Sequence, residues 1–239
     1  MADTTEDSVV DAEAAASKLV LERLRDDIIM GVFQPGQKLR LIELKTRYET
    51  GASPLREALS RLSAQQLVTQ EVNRGFSVPA ISVDELQDIS ALRRQLESRA
   101  VRESVARGDE AWEDELILSH RRLKRLGPAA DIVTDGAAPK LVLQWEQQHR
   151  QFHVALRAAC RSQWTQRFCA TLNDQFDRYR RFARPSRDIQ TRLGAQHDKL
   201  LEAALERDAD ACGQLIDEHM QITGEAVLAT LRNKRLPGA

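Results

Sequence analysis

The chain has 239 residues, with 35 Lys and Arg against 36 Asp and Glu and a formal net charge of -1. Charged residues make up 30% and the hydrophobic set 42%, the composition of an ordinary water-exposed globular protein of one or two domains with a sizeable core. Aromatics at 5%, with 11 Gly and 7 Pro, are too sparse for an all-β sandwich and point to helices, and no 18-residue apolar run is present to span a membrane.

Residues 1–16 carry five acids and no base and lack an apolar segment, so they are expected to be a disordered acidic tail and not a signal peptide. Residues 17–80 hold ten Lys and Arg against seven Asp and Glu, a modest basic excess that permits contact with nucleic acid without requiring it. Leu21, Leu24 and Ile28, widened by Val20 and Ile29, recur at helical spacing up to Gly31. Phe33 to Gly36 is a turn signal, and a second short helix fits Leu41 to Tyr48. A third is expected to start at Ser53 and Pro54, the serine as cap and the proline at the first helical position, and to run to about Gln66. Leu67 to Val72 reads as a strand, Asn73, Arg74 and Gly75 as a tight turn, and Phe76 to Val78 as the return strand. Three short helices followed by a β-hairpin is the winged helix-turn-helix arrangement.

From Ser82 the chain changes character. A Ser cap followed by Asp84 and Glu85 opens the first of six amphipathic stretches, at about 82–107, 109–126, 140–160, 163–183, 188–207 and 209–232. The expected fold is therefore mainly α: a winged helix-turn-helix at 17–80, an antiparallel bundle of about six helices at 81–233, and a flexible tail at 234–239. Three cysteines, Cys160, Cys169 and Cys212, lack CxxC spacing, so buried thiols in a reducing cytoplasm are expected.

Residues 20–79 resemble the winged-helix domain of the GntR family of bacterial transcription regulators. The resemblance rests on Gly31 to Leu39, on Ser53-Pro54-Leu55-Arg56-Glu57-Ala58-Leu59-Ser60-Arg61-Leu62, on Leu67-Val68 and on Arg74-Gly75-Phe76, all in the family's order and spacing. It implies double-stranded DNA as partner, held as a palindrome by a homodimer. A recognition helix places its N-terminal residues at base edges, which puts Ser53 and Arg56 there, and a guanidinium can fork onto guanine. Arg74 and Gly75 resemble the family's wing-tip contact, with Arg40, Lys45 and Arg47 as phosphate candidates. The sequence departs from the family at Ala52 and Ile42, where DNA-contacting arginines are frequent, and at Glu49, where glycine is usual. The operator sequence therefore does not carry over.

In the helical block, His149 and His153 are spaced i, i+4 and share a helix face beside Phe152 and Leu156, a spacing that suits a shared metal and equally suits ordinary core histidines. Residues 83–232 resemble the all-helical ligand-binding domain of the FadR-like branch of the GntR regulators, which is often metal-containing. Matched to that motif, the ligands are His149, at a position the family gives to Asp, with His153, His197 and His219. Four neutral imidazoles favour zinc, nickel or copper over harder ions, and a divalent zinc or nickel is expected. The resemblance also places Arg93 in the cavity, where a buried guanidinium beside a cation would take a small carboxylate. Pairing of Arg93 with Glu97 one turn on is the structural alternative. Tyr179 is a further cavity candidate, and the Arg-rich run 178–187 is expected as a solvated face or dimer contact. Trp145 and the stretch Phe176 to Arg181 resemble the subgroup of carbon-starvation and glutarate-catabolism regulators, which implies a short dicarboxylate such as glutarate.

The expected function is a cytoplasmic, ligand-responsive repressor that is not an enzyme. A metal-dependent hydrolase or lyase would use the histidine cluster to activate water, but no HExxH motif is present and Glu146 is the only nearby acid. An effector-independent DNA-binding protein would bind DNA without response to any small molecule or chelator.

Overall fold

The computed structural model describes the backbone of residues 4–71, 74–133, 138–183 and 186–233, with side chains from Ser17 onward. It divides into two compact units, Met1–Ile81 and Ser82–Ala239.

The first unit contains helices α1 (Thr4–Ile29), α2 (Leu41–Tyr48) and α3 (Ala52–Ala64), then strands β1 (Thr69–Glu71) and β2 (Gly75–Ser77). Val20, Leu24 and Ile28 fall four residues apart on α1 and are buried with Leu55, Leu59 and Leu62 of α3 in one apolar cluster. The strands pair antiparallel with Thr69 opposite Ser77 and Glu71 opposite Gly75. Gly75 sits at φ +83°, a left-handed conformation that glycine adopts without a Cβ clash. The turn at Gly36 folds the following residues back beside β2. The Gly36 amide donates to the Val78 carbonyl at 2.9 Å and the Leu39 amide to the Phe76 carbonyl at 2.8 Å.

Three expectations change here. The acidic segment 1–16, expected to be disordered, carries helical backbone from Thr4, consistent with its alanine content and with acids near the helix N-terminus. Helix α3 starts two residues early: Gly51 is the cap, and Ser53 lies within the first turn and makes no capping bond. The first strand is shorter than expected because Leu67 and Val68 are buried in the core before pairing begins. The expected strand residue Val72, the expected turn residue Asn73 and the expected tail 234–239 lie outside the described residues.

The second unit contains α4 (Val83–Arg107), α5 (Glu110–Arg125), α6 (Ala129–Ile132), α7 (Pro139–Leu156), α8 (Gln163–Phe182), α9 (Arg187–Leu205) and α10 (Ala209–Asn233). Side-chain caps start five of them, with Asp208 accepting from the Ala211 amide at 2.9 Å at the start of α10. Ser82, Asp109, Ser162 and Ser186 each accept from the backbone N–H three residues on, satisfying an otherwise unpaired donor. The short α6 was not anticipated, since four residues carry too little periodicity to read. Helices α4 and α10 pack most extensively, and Ser98 Oγ donates to the Gly213 carbonyl at 2.7 Å between them. The core gathers Trp112, Leu116, Phe152, Leu200 and Ile216, with Trp112 Nε1 donating to the Ala155 carbonyl at 2.9 Å. Among the described residues no helix is long and apolar enough to cross a membrane.

Gly108, which caps α4, has an ordinary φ of -61°, yet a Cβ there would overlap the Trp112 ring. Gly108→Ala is expected to lower the unfolding free energy by about 1–3 kcal/mol, the usual cost of overpacking, read as a lower urea midpoint. An unchanged midpoint would show that the ring moves aside without cost.

Candidate functional site

In the first unit, Lys38, Arg40, Arg56, Arg74 and Gly75 line one cleft formed by the start of α2, the exposed face of α3 and the hairpin. Arg56 is exposed and makes no ion pair among the described residues. The neighbouring Glu57, its simplest structural partner, pairs with Arg61 at 2.6 Å and accepts from Ser17 Oγ at 2.8 Å. Arg40 faces Glu43 at 3.3 Å and Arg74 faces Glu71 at 3.5 Å, but such exposed pairs are weak and yield readily to phosphate. Ser53 is exposed on the first turn of α3 and does not line the cleft. Of the other phosphate candidates, Arg47 is committed elsewhere. Its Nε donates to Asp27 at 2.9 Å, and that carboxylate also accepts from Tyr48 Oη at 2.7 Å.

In the second unit, His149 and His153 on α7, His197 on α9 and His219 on α10 converge. One ligand atom from each lies within 4.8 Å of all the others. His149 Nε2 and His153 Nε2 are 3.2 Å apart. Metal–nitrogen bonds of about 2.0–2.1 Å put adjacent ligand nitrogens roughly 3.0–3.4 Å apart, so the pair has the spacing of two ligands on one ion. His197 Nε2 is buried with no hydrogen-bond partner among the described residues, an orphaned lone pair that a metal would satisfy. Burial, reinforced by like-charged neighbours, holds His149, His153 and His219 well below the usual histidine range and His197 down at about 3. All four therefore stay neutral at neutral pH, the form that ligates. His219 Nδ1 meets Gln196 Oε1 at 3.2 Å. A protonated Nδ1 donating there leaves Nε2 for a metal. The His149 ring stacks on Trp145 with centroids 4.7 Å apart, which fixes its plane. His120, the remaining histidine, faces Asp198 at 2.9 Å and takes no part in the cluster.

The same residues line a cavity of about 120 Å³ with Arg93, Asn173, Phe176 and a belt of charged groups. Arg93 Nε donates to Asn173 Oδ1 at 2.8 Å, and its guanidinium lies 3.9 Å over the Phe176 ring. Its Nη1 is buried with no partner among the described residues. Burial pulls Arg93 down to about 10, still charged at neutral pH. Arg93 makes no ion pair with Glu97, whose Oε1 accepts from Asn173 at 2.7 Å and faces Arg157 at 3.5 Å while its Oε2 is buried without a hydrogen-bond partner among the described residues. Glu146 is clamped by Arg180 and by Arg181 at 3.2 Å, and Asp177 by Arg150 at 2.7 Å and Arg180 at 3.3 Å. Burial pushes Asp177 up, but Arg180 and Arg150 outweigh it and hold the carboxyl below its usual range.

Two expectations on α8 are corrected. Tyr179 does not line the cavity. It is fully buried, donates to Glu85 and accepts from the Ser82 amide at 3.3 Å, because its position on the helix turns it toward the start of α4. Burial and the Glu85 bond push its phenol up to about 12. The Arg-rich run is not simply a solvated face: Arg180 and Arg181 turn inward onto Glu146. Sequence reading also missed Arg150, Asn173, Asp177 and Gln196. The available signal was the recurrence of Asn173, Phe176, Asp177 and Arg180 at i, i+3, i+4 and i+7, one helix face mixing an aromatic with charges.

Comparison with known proteins places both units. The FCD domain profile matches residues 88–222, and that of bacterial regulatory proteins of the gntR family matches residues 16–78. The chain is 41% identical over 204 residues to the uncharacterized HTH-type transcriptional regulator BphR of Paraburkholderia xenovorans, covering 84% of this chain and 80% of that protein. It is 36% identical over 201 residues to the HTH-type transcriptional repressor GlaR of Escherichia coli, covering 82% and 89%. Among solved structures, McbR/YncC of E. coli shares the fold at a TM-score of 0.76 and 20% identity, over 91% of this chain and 99% of that one. These relatives are transcription regulators, not enzymes.

Gln196→Leu is expected to weaken metal affinity by about 10–100-fold, measured by competition with a chromophoric chelator; an unchanged affinity would remove Gln196 from the site. Histidines that titrate near 6.5 when unfolded but well below that when folded leave stability flat above about pH 6.5 and erode it as pH falls below, by up to about 1.4 kcal/mol per pH unit for each histidine. The melting temperature of chelator-treated protein should accordingly fall between pH 6.5 and 4.5, and replacing His197 by Gln should flatten that fall.

Proposed function

The chain belongs to the gntR family of bacterial regulatory proteins and carries an FCD domain, and from that premise we propose that it is a cytoplasmic repressor released from DNA by a small dicarboxylate. The observation that carries this reading is the unpartnered Arg93 Nη1 in the wall of the cavity that also holds the four histidines. A buried guanidinium without an acid calls for an anion. The histidines would hold a divalent ion, zinc or nickel, which supplies a Lewis-acidic point for one carboxylate. Arg93 would bind the other through Nη1, while Nε stays on Asn173. The aliphatic span of a C4 to C6 diacid would lie against Phe176. A cavity of about 120 Å³ suits such an acid and is small for a nucleotide. The repressor assignment draws on the printed description of the E. coli relative.

Hydrolysis by the cluster is disfavoured. Glu146 is the nearest candidate base, and both its oxygens are taken by Arg180 and Arg181.

On DNA, a homodimer would set two α3 helices into successive major grooves of a palindrome, with Arg56 reading guanine and Arg40, Arg74 and Gly75 seating the backbone. The signal would pass along α4, which carries Arg93 and begins one residue after Ser82. Tyr179 lies on the cavity-lining helix α8 and grips the first turn of α4 through Glu85 and Ser82. Release requires that the ligand bind two arrangements of that joint with different affinity.

A gel shift with DNA upstream of the protein's own gene tests the reading. Succinate, glutarate or adipate is expected to release a specific complex, and Arg93→Ala to hold that complex at acid concentrations that free the wild type. Specific binding that no diacid alters would remove the sensor. Arg56→Ala is expected to cost about 1–3 kcal/mol on the operator and little on random DNA, whereas Arg74→Ala weakens both alike. Tyr179→Phe should leave diacid affinity intact, by calorimetry, and raise the concentration needed for release. Equal loss of both would make Tyr179 a folding residue.

A further inference from the structure

The charges around the cavity do not balance once a metal is added. Five arginines line it, and four of them face carboxylates: Arg150, Arg157, Arg180 and Arg181 meet Asp174, Asp177, Glu97 and Glu146. Arg93 makes no ion pair among the described residues, so the five lining arginines and the four carboxylates that face them leave an excess of one positive charge among the described residues. The metal-ligand set adds no negative charge, because all four donors are imidazoles. A divalent ion would therefore enter a buried site that already holds a cation with no ion-pair partner of its own, compensated only at longer range by Asp177 and Glu97. Charges within a few ångströms in a water-poor cavity repel strongly, and burying them without a counter-charge is costly. The carboxylates already present are poor substitutes, since each already faces at least one other guanidinium.

We propose that the metal and the anionic effector are mutually dependent ligands: the four-imidazole site holds a divalent ion weakly until a dicarboxylate enters beside Arg93, and each tightens the binding of the other. The inference rests on the metal-and-diacid reading above and adds to it a linkage. Two negative charges match the deficit better than one, so the effect should distinguish a diacid from a monoacid of equal length. His149 is the position that sets the strength of the linkage. It is half-buried, stacked on Trp145 and faces Arg180 electrostatically, so a carboxylate there would supply a built-in negative charge.

The test uses the full chain, stripped with chelator, at buffered free zinc. Zinc affinity is measured by competition with a chromophoric chelator, alone and with succinate, glutarate, adipate or the monoacid pentanoate. At least one diacid is expected to tighten zinc by about 10-fold or more, within the usual range of coupling between sites, with pentanoate giving less. Calorimetry should return the same factor for the effect of zinc on the diacid, since the linkage is reciprocal. His149→Asp should bind zinc more tightly than wild type without any acid and lose most of the linkage. Arg93→Gln should retain zinc binding and also lose it. Circular dichroism establishes that both variants are folded. Zinc binding that every diacid leaves within twofold would overturn the linkage while sparing the metal site. No binding of zinc or nickel under any condition would overturn both.

Discussion

The feature on which the helical unit depends is the burial of positive charge. Among the described residues, five arginines and four histidines line one small cavity, where like charges repel. The fold manages the arginines with a ring of carboxylates drawn from α4, α7 and α8, and manages the histidines by keeping them neutral. Arg93 is left over. Its Nε and guanidinium face are satisfied, by Asn173 and the Phe176 ring, while Nη1 is not. A buried donor without an acceptor is destabilising, and here it faces the cavity that the four histidines also line.

That arrangement also explains why the charged groups lie on long helices and not on loops. The i, i+4 step on α7 brings the Nε2 atoms of His149 and His153 within 3.2 Å of each other, and the same helix carries Glu146 and Arg150 to the opposing arginines and acids of α8. Helices α9 and α10 each contribute one histidine, held in place by an apolar core that includes Leu200 and Ile216. The cluster therefore depends on packing of three helices at once, and a ligand that draws them together acts on the scaffold as well as on itself.

Much of this was legible in the sequence. Helix α2 falls where Leu41 to Tyr48 predicts it, and Ser82 caps α4 as its Ser-x-Asp-Glu pattern implies. The convergence of four histidines from three helices followed from family resemblance, since spacing alone reached only His149 and His153. What the sequence hid was direction. A run such as Arg178 to Arg181 looks solvated because charges usually are, and only the placement of Glu146 on a neighbouring helix turns Arg180 and Arg181 inward. Tyr179 was misplaced for the same reason: a third of a helical turn separates the cavity wall from the α4 contact. Ser53 failed as a cap because Gly51 already has the extended backbone a cap needs. Four-residue α6 is too short to leave a periodic trace.

The central claim is that one cavity holds a metal and a diacid together. Anomalous diffraction from crystals grown with zinc and glutarate, recorded on both sides of the zinc edge, tests it directly. The account predicts a single strong zinc peak bonded to nitrogens of His149, His153, His197 and His219 at about 2.0–2.1 Å, with one carboxylate on the ion and the other hydrogen-bonded to Arg93 Nη1. Zinc bound elsewhere, or bound there with the acid absent and Arg93 Nη1 still unpaired, would contradict it.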